Sequence, residues 1–245
     1  MYTDFASIYD RLMSDVDYKS WAEYYLSLIE IINPDATDVV ECACGTGNLS
    51  LYFANKFNLI ACDISEDMLS LALQKADDLH KDICFVQQDM CKLSLPYKQD
   101  IVLCTCDGVN YLINKRQAKS FFKSANKALK IGGGLIFDVS SQYKLYKLLP
   151  EKPLVNFDEE ISYIWQNYVE RQKLYMDLSF FVKDNDVYHR IDEQQTQVCF
   201  SKNEYKELLK SCGFGKIKIF GDRTYSQPSS KELRWHILAT KINEV

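Results

Sequence analysis

Glu41, Gly45, Gly47 and Asp63 have the types and spacing to hold a nucleoside. The first three fall in the run Val39-Val40-Glu41-Cys42-Ala43-Cys44-Gly45-Thr46-Gly47-Asn48-Leu49-Ser50, and Asp63 lies 22 residues after Glu41. A Gly-x-Gly turn lets bare backbone approach a ligand, because glycine lacks a Cβ and adopts positive φ. An acidic side chain about 20 residues on, at the tip of the next strand, can accept from both ribose hydroxyls. A phosphate-cradling loop is excluded, since Gly47-Asn48 stands where Gly-Lys-Ser/Thr is needed. A dinucleotide fingerprint wants a third glycine or alanine for close helix–strand packing, and Ser50 occupies that place.

The elements that must position these residues alternate. A buried strand over Val39–Cys42 leads through the glycine turn into a helix, with Leu49, Tyr52, Phe53 and Phe57 at helical spacing. Leu59–Cys62 reads as a second strand ending at Asp63. Ser65 then caps a helix that buries Met68, Leu69, Ala72 and Ala76. Ile83–Val86 is a third strand and Asp100–Cys106 a fourth. A helix over roughly 115–130 turns Phe121, Phe122, Ala125 and Leu129 inward, with Gly132 as its C-cap, and Leu135–Val139 is a fifth strand. This alternation predicts a Rossmann-like, mostly parallel α/β sheet with right-handed crossovers. Upstream, Asp17 caps a helix with Trp21, Tyr25, Leu28 and Ile32 on one face, stopped before Pro34. Residues 1–34 form an N-terminal helical segment rich in aromatics, among them Tyr2, Phe5 and Tyr9.

From residue 141 to 200 the alternation stops. Leu174, Met176, Leu178, Phe180 and Val182 alternate with polar residues, Asp184-Asn185-Asp186 signals a turn, and Val187–Cys199 is a second alternating run. Tyr163, Trp165 and Tyr168 lie on an earlier strand. This predicts an antiparallel β insertion after the fifth strand. Ser201-x-x-Glu204 then forms a capping box, followed by strands at Lys216–Phe220 and Arg234–Thr240. With no helix between them, those two pair as an antiparallel C-terminal hairpin and complete a seven-stranded sheet.

The run Glu41-x-Ala43-x-Gly45-x-Gly47 resembles the acidic-x-small-x-Gly-x-Gly motif of class I S-adenosylmethionine-dependent methyltransferases. Asp63-x-Ser65-x-x-Met68-Leu69 resembles the family's second station. The string from Phe5-Ala6-x-x-Tyr9-Asp10 to Tyr18-x-x-Trp21, and Cys106-Asp107-x-x-Asn110-Tyr111-Leu112, are similar to stretches of the small bacterial YqeM-like group. The resemblance covers nearly the whole chain and implies S-adenosyl-L-methionine as cofactor. It implies cofactor-binding roles for Tyr9, Glu41, Ala43, Gly45, Gly47, Asp63, Ile64, Met68, Asp89, Met90, Cys106 and Asp107. Of these, Asp89 meets the adenine amino group and Met90 lies against the ring. Asn110 and Tyr111 are candidates for the substrate side, and aromatics such as Tyr9 for closing over it. The reaction implied is an in-line displacement onto a small-molecule methyl acceptor, with the insertion over residues 141–200 as a substrate-side subdomain of a single domain, 1–245. His189, His236 and Asp107 are possible bases. An Asn-Pro-Pro-Tyr-type motif is absent after the fourth strand, which argues against nucleic-acid bases and planar amides.

Composition bounds the rest. A chain of 245 residues with a formal charge of −5 fits one α/β core and argues against a large phosphate-binding surface, so nucleic acid is an unlikely partner. No stretch is long and apolar enough for a membrane helix, and Met1-Tyr2-Thr3-Asp4 does not open a signal peptide. Nine cysteines without a Cys-x-x-Cys, and three scattered histidines, read as small buried hydrophobes and not as a metal site. The pairs Cys42/Cys44 and Cys104/Cys106, at strand spacing, each point to one face. The odd count fits a reducing cytoplasm, with the chain a monomer or homodimer. Rival readings are a nicotinamide-dependent oxidoreductase, a non-catalytic adenosyl-binding protein and an RNA-modifying methyltransferase.

Overall fold

A computed structural model describes residues 3–245, with side chains described at Ala6 and from Ile8 onward. Tyr2 and the Phe5 side chain, noted above, lie outside the described residues. Helices α1 (Thr3–Leu12) and α2 (Tyr18–Ile32) precede β1 (Asp38–Cys42). A short α3 (Ser50–Phe53), β2 (Asn58–Asp63), α4 (Glu66–Asp78), β3 (Cys84–Gln87) and β4 (Gln99–Cys104) follow. Then come α5 (Lys115–Ala128) and β5 (Leu129–Ser140). The insertion supplies β6 (Leu154–Asn156), β7 (Ile161–Glu170), β8 (Lys173–Asp184) and β9 (Val187–Gln197). Helix α6 (Lys202–Ser211), β10 (Phe214–Phe220) and β11 (Arg234–Lys241) close the chain.

The seven-stranded sheet has the order β10-β11-β5-β4-β1-β2-β3. β1 through β5 are parallel, and β11 lies antiparallel to both β5 and β10. The chain winds outward from β1 through β2 and β3, then returns to the other side of β1 with β4. That reversal opens a crevice at the carboxyl ends of β1 and β4, where open α/β sheets bind ligands. The period-2 side-chain pattern divides the core. Val40, Cys42, Ile60, Val102, Cys104, Leu135 and Phe137 face α5 and α6. Val39, Leu59, Ile101, Leu103 and Ile136 face α2 and α3. Truncating a ring such as the fully buried Phe137 to alanine costs about 3–5 kcal/mol.

Local capping explains where the helices start. Ser65 accepts from the Met68 N–H at 3.3 Å, Asn114 from Gln117 at 3.0 Å, and Ser201 with Glu204 makes the reciprocal capping box. Three expectations need correction. Helix α5 ends at Ala128 and passes straight into β5, so Gly132 caps nothing; at φ +82° it sits in an irregular stretch where the β4–β5 register shifts. The helix after the glycine turn is one turn long, with Leu49, Ser50 and Phe53 buried, Tyr52 exposed, and Phe57 packed on the core beyond the helix end. Cys104 and Cys106 do not share a face: the strand ends at Cys104, and Cys106, at φ +53°, swings to the α2 side.

The second sheet is antiparallel, in the order β6-β7-β8-β9. Its inward face carries Leu174, Met176, Leu178 and Phe180, all buried. Strand β9 stops at Gln197, two residues short of the sequence reading, because Val198 leaves the sheet and donates its N–H to the Asn110 carbonyl at 2.8 Å. No helix among the described residues is long and apolar enough to cross a membrane.

Candidate active site

The glycine turn is built from left-handed backbone. Ala43 has φ +54°, Gly45 +54° and Gly47 +73°. The Gly45 N–H donates to Asp63 Oδ2 at 2.8 Å, and the Ser65 N–H donates to Asp63 Oδ1 at 2.9 Å. One carboxylate therefore pins the glycine turn and the start of α4, and still has lone pairs free for a ligand. A Cβ added at Gly45 would meet nothing within 4 Å, since the residue borders open space. At Gly47 it would meet the Ala72 Cβ at 3.0 Å, so this glycine serves close approach of α4 and does not line the cavity.

Behind the turn Glu41 is buried and accepts from the Ser50 hydroxyl at 2.5 Å and from the Thr105 hydroxyl at 2.9 Å. Ser50, which replaces the dinucleotide motif's third small residue, is thus the partner of an acid. Burial pushes the Glu41 carboxyl up to about 7 against those two hydrogen bonds, with the Asp63 charge adding to the rise.

The loop after β4 carries two consecutive non-glycine residues with positive φ, Cys106 at +53° and Asp107 at +55°. Such conformations cost of order 1–3 kcal/mol each and persist only where surroundings hold them. Here the Asp107 N–H donates to Asp138 Oδ2 at 2.9 Å, Asp107 Oδ1 lies 2.7 Å from Arg234 Nη2, and Gln197 donates to Asp107 Oδ2 at 3.1 Å. Arg234 also pairs with Asp138, which accepts from the Tyr25 hydroxyl. The guanidinium stacks over Trp21, 5.0 Å from the ring centre. Residues from the β4 loop, β5, β11, α2 and the insertion meet in this cluster.

The N-terminal helix is fastened to the glycine turn through Asp10. Its carboxylate accepts from Thr46 at 2.6 Å, Asn48 at 2.9 Å and Lys75 at 2.7 Å. Burial works to raise the Asp10 pKa, but the hydrogen bonds from Lys75, Thr46 and Asn48 outweigh it and hold the carboxyl below its usual range. This clasp sets Tyr9 in the cavity wall, where burial keeps the phenol protonated far above its ordinary pKa.

Gly45, Asp63, Glu41, Asp107, Arg234 and Tyr9 border one cavity of about 1150 Å³. That exceeds the roughly 300–1,000 Å³ of a site for one drug-sized ligand, leaving room for a cofactor and a small co-substrate. The sheet-side wall holds Tyr9, Glu41, Ala43, Gly45, Asp63, Ile64, Met68, Asp89, Met90, Cys106 and Asp107. Asp89 also accepts from the Cys91 N–H at 2.8 Å, so it caps a turn and faces the cavity at once. Tyr111 lies at the rim and donates to Gln195 at 2.8 Å. The opposite wall is the inward face of the insertion, with Tyr163, Trp165, Met176, Leu178 and Phe180.

Three further candidates are not brought to the cavity. Asn110 is buried, donating to the Ser140 and Val198 carbonyls at 3.2 and 2.9 Å and accepting from the Ser140 N–H at 2.8 Å, so its amide ties the insertion to the main sheet. His189 is exposed on β9, 3.3 Å from Asp184. His236 is buried against Trp21, Tyr24 and Tyr25, away from the cavity wall. Sequence reasoning missed Arg234, Asp138 and Lys144. For the first two the only signal was a charged residue in each of two otherwise apolar strand runs. Among the described residues no group of three or more His, Cys, Asp or Glu is placed to hold a metal ion.

Residues 39–133 match the family model described as a methyltransferase domain. Over 249 residues the chain is 38% identical to YqeM of Bacillus subtilis (strain 168), which is named as a methyltransferase, covering 100% of this chain and 99% of that one. The crystal structure of a S-adenosylmethionine-dependent methyltransferase from Clostridium acetobutylicum is similar, with a TM-score of 0.89 at 32% identity over 98% of each chain. A sugar N-methyltransferase from Streptoalloteichus shares the fold, with a TM-score of 0.81 at 18% identity over 97% of this chain and 92% of that one. With a relative this similar along its full length, and with the glycine turn, Asp63 and Asp89 on one cavity, the chain belongs to the S-adenosylmethionine-dependent methyltransferases.

Proposed function

We propose that this methyltransferase acts on a small molecule carrying a nucleophilic nitrogen, held between the sheet's carboxyl edge and the β insertion. The observation that carries this reading is the two-sided cavity. One wall is glycine backbone and fixed carboxylates, and the other is an aromatic and thioether surface of the insertion. A recessed cavity of this size, walled on two sides, suits a small acceptor better than an exposed polymer. The nitrogen acceptor of the sugar methyltransferase with the same fold supports the choice of atom.

Bound S-adenosylmethionine supplies an activated methyl group on a positively charged sulfur. The open space at Gly45, beside an oriented Asp63 carboxylate, fits its ribose. Ile64, Met68 and Met90 offer an apolar slot for the adenine, with Asp89 at the slot's polar edge. Cys106 and Asp107 border the methyl-bearing end, and Tyr9 closes the cavity from α1. The protein's main task is then to hold nucleophile and carbon about 3 Å apart, in line, with water excluded.

We read residues 1–245 as one methyltransferase domain, 1–34 as its lid and 141–200 as its substrate-side subdomain. The nine free thiols support a reducing, cytoplasmic setting. Calorimetry with S-adenosylmethionine, followed by radiolabelled methyl transfer to a panel of amino sugars and other small amines, tests the reading. Binding and labelling of an amine support it. Absence of binding at millimolar cofactor, about −4 kcal/mol, overturns it.

A further inference from the structure

Lys144 opens the irregular turn Lys144–Leu148 that follows β5, and its side chain lies in the cavity wall. Its Nζ donates to Ser140 Oγ at 3.2 Å, and no ion pair among the described residues includes it. The other charged groups of the lining that lie away from the rim have partners within the protein. Arg234 is held between Asp107 and Asp138, Glu41 by two hydroxyls, and Asp63 and Asp89 by backbone N–H groups. Lys92 and Arg116 stand exposed at the rim.

We propose that Lys144 is the proton acceptor that frees the lone pair of an amine substrate before methyl transfer. This rests on the reading of the cavity as the methyl-transfer chamber. An ammonium cannot attack, so its proton must pass to a base before transfer. The neutral Lys144 amine takes that proton and becomes an ammonium. The substrate nitrogen then forms its bond to the methyl carbon while the carbon–sulfur bond breaks and its electron pair stays on sulfur. The product is a methylammonium, and Lys144 returns its proton to solvent when the chamber opens.

Burial in the cavity wall shifts the balance toward the neutral amine. Burial holds the Lys144 pKa below that of an ordinary lysine. Asp107 from the β4 loop, Asp138 from β5 and Asp222 from the β10–β11 connection oppose the shift, and Arg234 from β11 reinforces it. The insertion presents Tyr163 and Trp165 to the chamber but no charged side chain. A sulfonium bound beside Asp107 acts in the same direction as Arg234 and pushes the lysine further toward its neutral form.

The test is an NMR titration of the protein with its lysines labelled at 13Cε. The Lys144 resonance is the one lost in both Lys144→Arg and Lys144→Met, so assignment survives if either variant folds poorly. Its midpoint is expected below that of an ordinary lysine. S-adenosylmethionine is expected to lower it again, and S-adenosylhomocysteine, which lacks the positive sulfur, to leave it in place. A midpoint at the ordinary lysine value while calorimetry still shows cofactor binding overturns the Lys144 role and leaves the methyltransferase reading standing. A midpoint that rises on adding inorganic phosphate marks an anion seat and overturns it too. Loss of cofactor binding altogether removes both readings.

Discussion

Asp107 meets Arg234 at 2.7 Å, and that pair ties the left-handed loop after β4 to the first residue of β11. Arg234 simultaneously neutralises Asp138, whose side chain is fully buried. The burial is affordable only because both carboxylates, the Tyr25 hydroxyl and the Asp107 N–H complete one another's hydrogen bonds.

Arg234→Met is therefore expected to destabilise the fold by about 3–5 kcal/mol, since it leaves Asp138 buried without its cation. Asp107→Asn should cost less, because the pair with Asp138 and the Trp21 stack remain. Urea denaturation of the two variants checks the order. Equal losses would mean that Asp138 does not depend on the guanidinium.

Asp63→Ala is expected to weaken S-adenosylmethionine binding by about 1–3 kcal/mol, roughly 5- to 150-fold. The substitution removes the acceptor for two backbone N–H groups as well as the ligand contact. Calorimetry reads the affinity, and Asp63→Asn separates the two effects. The amide oxygen can accept only one of the N–H groups, so an intermediate affinity is expected. Unchanged binding in Asp63→Ala would remove Asp63 from the site.

Glu41 makes stability depend on pH in the less common direction. Its folded pKa is raised to about 7 from an ordinary 4.5. Between about pH 4.5 and 7 the folded chain holds a proton that the unfolded chain has released, so stability falls as pH rises through this window. The full loss is about 3 kcal/mol at one unit per 1.36 kcal/mol. Unfolding free energies at pH 5 and pH 8 should differ less in Glu41→Gln than in the parent, with the variant gaining relative stability at pH 8. A parallel pair of pH profiles would show that Glu41 is not the titrating group.

The parallel half of the fold was legible because its signals are local. Short apolar runs, the Ser65 cap and the Ser201–Glu204 box each act within a few residues. The cavity's sheet-side wall followed, since Gly45, Asp63, Asp89 and Cys106 all sit at strand tips of that half. The Arg234–Asp138 pair was not legible, as it joins residues 96 apart that meet only through the antiparallel register of β11 on β5. Asn110 misled for a related reason. A loop position after a strand says nothing about which way an amide points, and this one is claimed by Ser140 and Val198. Gly132 read as a helix cap because a bulge inside a strand and a helix end both demand positive φ.

Asp10 offers the sharpest check on the N-terminal helix as a closing element. Its bonds to Thr46, Asn48 and Lys75 join α1 to the glycine turn and to α4, and Lys75 also donates to Asn48 at 2.5 Å. The clasp is partly exposed, so its contribution to global stability is that of a surface pair, about 0.2–1 kcal/mol. Its effect on α1 should be larger, because the ion pair between Arg11 and Glu160 that also holds this helix is more exposed still. Asp10→Ala is expected to speed amide hydrogen exchange over residues 3–12 while leaving β1 and β4 protected. It should also lower cofactor affinity through the freed Tyr9. Exchange that rises equally in α1 and in the sheet would mean that Asp10 supports the fold as a whole and does not act as a local fastening.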